Sequence, residues 1–193
     1  MNFVLLIMLL IPFFQADVPV FEIDLWPGEG RPVFESATRS LGLRALPSAS
    51  SKITDTVKIT LGQQLPFDDT RFRTTQVGEI RVLASTQVTG RNLGTVRRLS
   101  REEYYKGKFP PTLVELQPGA TVEYLQYRAE GTCFLRIAGN VIDAESCPTN
   151  DTSKFRVETE PKTEWWIHIV LSDGSKGWVL VTESTVKLVN RQF

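Results

Sequence analysis

The chain has 193 residues, 41% of them hydrophobic, which suffices for one or two small domains that fold unaided. Lys and Arg number 22, as do Asp and Glu, so the formal net charge is zero. Displacing counterions from phosphates, or holding an acidic membrane surface by charge alone, calls for a large cationic excess. The balance therefore argues against a nucleic-acid partner and against an electrostatic membrane binder.

Residues 1–16 (MNFVLLIMLLIPFFQA) are uncharged and almost wholly apolar. The run is shorter than the roughly 20 residues needed to span a bilayer, and it reads as a secretory signal peptide cleaved after Ala16. No Cys follows it, so no lipoprotein anchor is expected. The exported chain would start at Asp17, be secreted or periplasmic, and not be membrane-embedded.

An extended entry segment follows, ending in a turn at Trp26-Pro27-Gly28-Glu29-Gly30. Residues 32–37 and 41–46 read as strands, and Pro47-Ser48-Ala49-Ser50-Ser51 as a loop. Short strands are expected at 57–61 and 64–67, separated by Gly62. Asp68-Asp69 then shapes a turn before Thr70, and residues 79–84 continue the β pattern. Ser100 and Glu103 form a capping box, which predicts a short helix stopped by Gly107. Phe109-Pro110-Pro111 forces an extended crossing, Pro118-Gly119 turns the chain, and residues 121–128 form a strand carrying Tyr124 and Tyr127.

Cys133 and Cys147 are the two cysteines of the chain. Between them lie two β-rich runs and a turn centred near Asn140, which brings the cysteines nearly opposite. An even cysteine count in an exported chain then predicts a Cys133–Cys147 disulfide, the alternative being two free buried thiols. Asn150-Asp151-Thr152 and Glu160-Pro161 mark loops. Residues 165–181 predict a β-hairpin around Asp173-Gly174 and Gly177. Its parity puts Trp165, Ile167, Ile169 and Leu171 on one face, with Val179 and Val181 beside them. Trp166, His168 and Val170 fall on the other, with Trp178 and Leu180. Many short strands and almost no helix predict an all-β fold, a small barrel or sandwich.

The end of the hairpin, Asp173-Gly174-Ser175-Lys176-Gly177-Trp178-Val179, resembles the close of a bacterial SH3-like domain. Leu43-Arg44-Ala45-Leu46-Pro47-Ser48 resembles that family's opening, an Arg followed by a Pro-Ser loop. Residues 61–65 and 116–122 both resemble its Leu-x-x-Gly strand entry. These short motifs cover about half of the mature chain. The resemblance implies SH3-like barrels, either two in tandem or one with a large disulfide-bearing insertion. In the tandem reading an N-terminal domain spans residues 17–98 and a C-terminal SH3-like domain spans 99–193.

Catalysis has little to rest on. His168 is the sole histidine, so any Ser-His-Asp or Cys-His apparatus would have to use it. It sits on the outward parity beside Trp166, where a structural or ligand-contacting role is expected. Neighbours on a strand point to opposite faces, so Asp68 and Asp69 should not converge. Glu102 and Glu103 suit the first turn of a helix. There is no phosphate loop and no metal motif, and no cofactor is expected. The basic stretch 91–108 and the acidic stretch 109–151 face each other or sit on separate solvated faces, the alternative being a cationic patch for an anionic ligand. Tyr124, Trp166, His168 and Trp178 are the candidate ligand-binding residues, as an exposed aromatic face or, alternatively, as packing between domains. The resemblance implies a non-enzymatic binding module whose partner is a cell-wall peptide or glycan, or an envelope protein. A structural subunit of an envelope complex and a cell-wall hydrolase are the alternatives.

Overall fold

The computed structural model of the protein describes residues 18–28 and 30–189. The leader expected at residues 1–16 lies outside them. Of the described residues, 54% are strand and 5% helix, so the all-β expectation holds. In chain order the strands are β1 (Phe21–Ile23), β2 (Phe34–Ser36), β3 (Ser40–Arg44), β4 (Ile53–Lys58) and β5 (Phe67–Gln76). β6 (Gly78–Val82), β7 (Thr86–Gly94) and β8 (Arg98–Leu99) precede the helix α1 (Arg101–Lys106). Then come β9 (Pro111–Leu116), β10 (Thr121–Ala129), β11 (Thr132–Ile137), β12 (Asn140–Ala144) and β13 (Phe155–Thr159). β14 (Lys162–Val170), β15 (Lys176–Leu180) and β16 (Val186–Leu188) complete the series. Among the described residues no helix is long and apolar enough to cross a membrane.

The strands form two seven-stranded sheets and a ribbon. The first sheet runs β4-β3-β15-β14-β5-β1-β8, the second β13-β6-β10-β11-β12-β7-β9, and β16 pairs with β2. Both ends of the chain thus build most of the first sheet, while the second is made wholly within residues 78–159. Each sheet takes strands from both sides of the boundary expected at residues 98 and 99. β6 and β7 stand before it and join β9 to β13; β14 and β15 stand after it and join β1, β3 and β5.

β5 is the hub of the first sheet, pairing with β1 on one side and with β14 on the other. It passes through Asp68-Asp69, where the sequence suggested a turn. On its inner side Thr70, Phe72 and Thr74 alternate with Asp69, Arg71 and Arg73 on the outer side, the period of a strand buried on both faces. The register Ile23↔Phe72↔Trp165 puts the core residues of β1 and β14 on one face. One cluster there gathers Phe34, Leu41, Leu43, Ile167, Ile169 and Val179. A separate cluster fills the second sheet with Ile80, Val122, Tyr124, Leu135 and Ile142. Phe21, Ile23, Leu125 and Phe134 join the two sheets, helped by Tyr104 of α1. Phe21 and Phe134 meet with ring centroids 5.3 Å apart. The Thr74 hydroxyl donates to the Leu125 carbonyl at 2.7 Å across the same joint.

Helix α1 has the expected capping box: the Glu103 amide donates to Ser100 Oγ at 3.1 Å and the Ser100 amide to Glu103 Oε2 at 2.8 Å. The β11–β12 hairpin turns through Ala138 and Gly139, both at positive φ, one step before the expected centre at Asn140. Beside it Cys133 and Cys147 form the predicted disulfide, with Cα atoms 5.1 Å apart.

Candidate functional site

The β14–β15 hairpin keeps the parity read from the sequence. Ile167, Ile169 and Val179 face the core, and Trp166, His168, Trp178 and Leu180 share the outer face, with His168 paired to Trp178 and Trp166 to Leu180. The outer face is not an exposed aromatic surface, however. Trp166 is 1% and Trp178 9% exposed. Tyr124 lies in the other sheet, 4% exposed inside its core, and burial pushes its hydroxyl up to about 12. The three ligand-binding rings expected from the sequence are therefore packing residues. His168 alone of the four stays within reach of solvent, its side chain 22% exposed.

A stripe of charge covers the two tryptophans. From β8 to β14 the outer face carries Arg98, then Glu22 and Asp24, then Asp69, Arg71 and Arg73, then Glu164. Arg73 Nε lies 3.0 Å from Glu22 Oε2, and Arg73 Nη1 lies 3.2 Å from Glu164 Oε2. Arg71 reaches Glu22, Asp24 and Asp69 at 3.4, 3.0 and 2.7 Å and lies over the Trp178 ring, 5.2 Å from its centroid. Trp166 Nε1 donates to Glu164 Oε2 at 2.8 Å. Arg73 also donates to the Pro47 carbonyl, which brings the Pro-Ser loop onto this face. The loop is tied down locally: Leu46 N–H donates to Ser51 Oγ at 3.0 Å, and Arg44 donates to the Ser51 carbonyl. Four carboxylates meet three guanidiniums in this stripe. Burial raises the Asp24 carboxyl above its ordinary range, against the pull of Arg71 and Arg98.

At the open end of the stripe the strand parity breaks. The register shifts between His168↔Asp69 and Ile169↔Phe67, leaving Asp68 as an extra residue in β5. The bulge places Asp68 on the His168 side together with Asp69, against the expectation that the adjacent carboxylates diverge. Asp68 Oδ1 lies 2.6 Å from His168 Nδ1, and Asp69 Oδ1 accepts from Arg71. The imidazole also packs against Trp178, with centroids 5.2 Å apart. The pair can orient a ring nitrogen toward solvent and offer it as a hydrogen-bond donor or acceptor. Nucleophilic catalysis would require a hydroxyl or thiol on that nitrogen; among the described residues none is bonded there, and both cysteine sulfurs are in the disulfide. Among the described residues no group of three or more His, Cys, Asp or Glu is arranged to hold a metal ion.

Among the described residues the Arg91–Asp143 ion pair joins the basic stretch to the acidic one, while Arg98 pairs with Glu22 and Asp24 and Lys106 with Glu102. Arg91 Nη2 lies 2.6 Å from Asp143 Oδ2, and Tyr104 donates to the same oxygen at 2.9 Å. Arg128 donates to the Tyr104 hydroxyl, and the Arg91 guanidinium lies 4.6 Å from the Tyr104 ring centroid. Burial, reinforced by Asp143, pushes the Tyr104 hydroxyl up to about 12.

A partly open aromatic ring lies on the core face of the same hairpin. Trp165, expected to be core, is half-buried and floors a cleft of about 530 Å³ with Val181, Val186 and Leu188, rimmed by Glu183 and Lys187. Its indole is fixed from two sides: Nε1 donates to Thr70 Oγ1 at 2.8 Å, and Phe34 abuts it edge-on with centroids 5.1 Å apart. Sequence parity missed this because it assigns a face but does not say where the face ends. No protein-family model, curated protein or solved structure matches the chain.

Proposed function

We propose that this chain is an exported, non-enzymatic binding module of bacterial SH3 type that recognises a peptide, a peptidoglycan fragment or a protein partner in the cell envelope. The observation that carries the reading is the Trp165 cleft. Its indole is already held in place by Thr70 and Phe34, so little side-chain entropy remains to be lost when a ligand covers it. An apolar floor with a few polar groups at the rim is the usual form of a small binding site. His168 and Asp68 contribute a separate polar corner on the opposite face. Export is supported by the apolar run at residues 1–16 and by the Cys133–Cys147 bond, a feature of oxidising compartments.

The test is co-sedimentation of the disulfide-bonded protein with purified cell wall, alongside affinity capture from envelope extracts. Retention on one of the two, lost on replacing Trp165, is the expected result. A protein that binds neither, or one that turns over cell-wall substrate, would refute the proposal. N-terminal sequencing of the exported form should begin at Asp17.

A further inference from the structure

The cleft has a second property besides its indole: it lies along a strand edge whose backbone groups are in part unpaired among the described residues. In the β2–β16 ribbon the Ala37 amide donates to the Thr185 carbonyl at 3.1 Å and the Val189 amide to the Val33 carbonyl at 3.0 Å. The register between them is Ser36↔Val186, Glu35↔Lys187 and Phe34↔Leu188. Bonded and non-bonded rungs alternate in an antiparallel ladder, so the 34/188 and 36/186 rungs turn their amides away from the partner strand. β2 confirms the phase, because on its far side Ser36 N–H donates to Gln63 O and Leu65 N–H to Phe34 O. On the far side of β16 the Val186 N–H is used by the Thr182 carbonyl at 2.9 Å. The N–H and C=O of Leu188 and the C=O of Val186 have no partner among the described residues.

Val186 and Leu188 from one face of β16 and Lys187 from the other all line the cleft, so it runs along this edge. Trp165 and Val181, which also line the cleft, are joined where Val181 N–H donates to the Trp165 carbonyl at 2.8 Å. Glu183 and Lys187 at the rim are exposed and make no ion pair with any described residue.

We propose that the cleft takes an extended peptide, which adds to the free edge of β16 as a further strand and lays an apolar side chain on the Trp165 indole. Leu188 presents a donor and an acceptor on one residue, the pattern that one residue of an added strand satisfies with two hydrogen bonds. Glu183 and Lys187 answer charges of either sign on flanking peptide residues. A glycan could stack on the indole, but it carries no alternating N–H and C=O to meet the edge. The inference rests on the binding-module reading above and specifies its ligand class and site.

An array of N-acetylated hexapeptide amides, probed with the full disulfide-bonded chain, supplies the ligand. The best binder is then titrated in solution while the Leu188 amide and Trp165 indole resonances are followed. Both should shift together. The same hexapeptide N-methylated at the residue facing Leu188 should bind at least tenfold more weakly, because it cannot donate to the edge. Trp165→Ala should weaken binding roughly thirtyfold, the loss typical of a ring that anchors a ligand. Leu188→Pro, which removes the outward N–H together with a side chain of the cleft, should weaken it while the melting transition confirms that the fold persists. The N-methyl comparison uses the unaltered protein, so it decides the matter even if a variant fails to fold. Undiminished binding of the N-methylated peptide, absence of any binding hexapeptide, or a chitin-type oligosaccharide shifting Trp165 where no hexapeptide does would each overturn the proposal. If cell-wall binding persists while any of these holds, the site inference fails and the binding-module reading stands. If cell wall and envelope extract also go unbound, both fail.

Discussion

The guanidinium of Arg73 and the carboxylate of Glu22 lie 3.0 Å apart on adjacent strands, with only 3% and 8% of the two residues exposed. Taking charges out of water costs several kcal/mol per ion, so such a pair persists only when every charge has a partner. Here Arg73 also reaches Glu164 and donates to the Pro47 carbonyl. Arg73→Ala should destabilise the protein by at most about 3–5 kcal/mol, because Glu164 loses its cation while Glu22 keeps Arg71 and Arg98, each at 3.4 Å. Urea unfolding measures this, and a loss below 1 kcal/mol would mean that the stripe is solvated.

The two tryptophans of the outer face should behave as core. Trp166→Ala should cost about 3–5 kcal/mol, the usual penalty for deleting a buried ring. Trp178→Ala should also lower stability, since Arg71 and His168 both pack on the indole. A Trp166→Ala protein that melts unchanged would place the ring at the surface after all.

How much was legible in the sequence follows from these residues. The β14–β15 hairpin could be read because its signals are local: alternation, then Asp173-Gly174, then a return strand. The capping box at Ser100 and the cysteine hairpin were legible for the same reason. β5 was not, although Thr70, Phe72 and Thr74 alternate with Asp69, Arg71 and Arg73. Three charged residues on one side of a strand read as solvent-facing, and the partners that bury them, Glu22 and Glu164, lie 51 and 91 residues away. Without that cover the sequence leaves Trp166 and Trp178 open to two readings, an exposed face or packing. The bulge at Asp68 is another tertiary event, produced where β5 and β14 fall out of step.

Asp24 gives a pH dependence of its own. Burial raises its folded-state pKa above the ordinary carboxylate value, so the folded protein takes up this proton more readily than the unfolded chain does. The sign is then fixed: ionised Asp24 opposes folding at neutral pH, and that opposition disappears as pH falls through the folded pKa. Glu103, Asp151, Glu158 and Asp173 are shifted the other way by hydrogen bonds, and their contribution is lost on acidification. Denaturation measured from pH 7 down to about 4 should therefore show wild type gaining relative to Asp24→Asn. Parallel curves would remove Asp24 from the account.

Replacing both cysteines by Ser should cost roughly 3 kcal/mol, the chain-entropy value for a loop of about 15 residues. Thiol labelling of the unfolded, unreduced protein should find no free sulfhydryl.

Close approach of β7 and β12 leaves no free room for a side chain at Gly90. A Cβ there would sit 2.3 Å from the Asp143 carbonyl oxygen, which is backbone and cannot swing away. Gly90→Ala should destabilise by about 1–3 kcal/mol and disturb the Arg91–Asp143–Tyr104 cluster beside it. Loss of the Tyr104 hydrogen bond, read from its titration, checks the second effect.

The order of strands in the two sheets sets a timetable for the emerging polypeptide. Everything the second sheet needs is present once residue 159 has been made, so it can form as an early cooperative unit. β5 must wait: its long neighbour β14 begins at Lys162, and the ribbon strand β16 ends at Leu188. Until then the apolar side of β5 and the charged side that Glu164 later neutralises both stand open. Such late closure by distant segments is slow and leaves edges exposed to other chains. Chains interrupted before Lys162 should therefore carry a finished second sheet and an aggregation-prone remnant of the first.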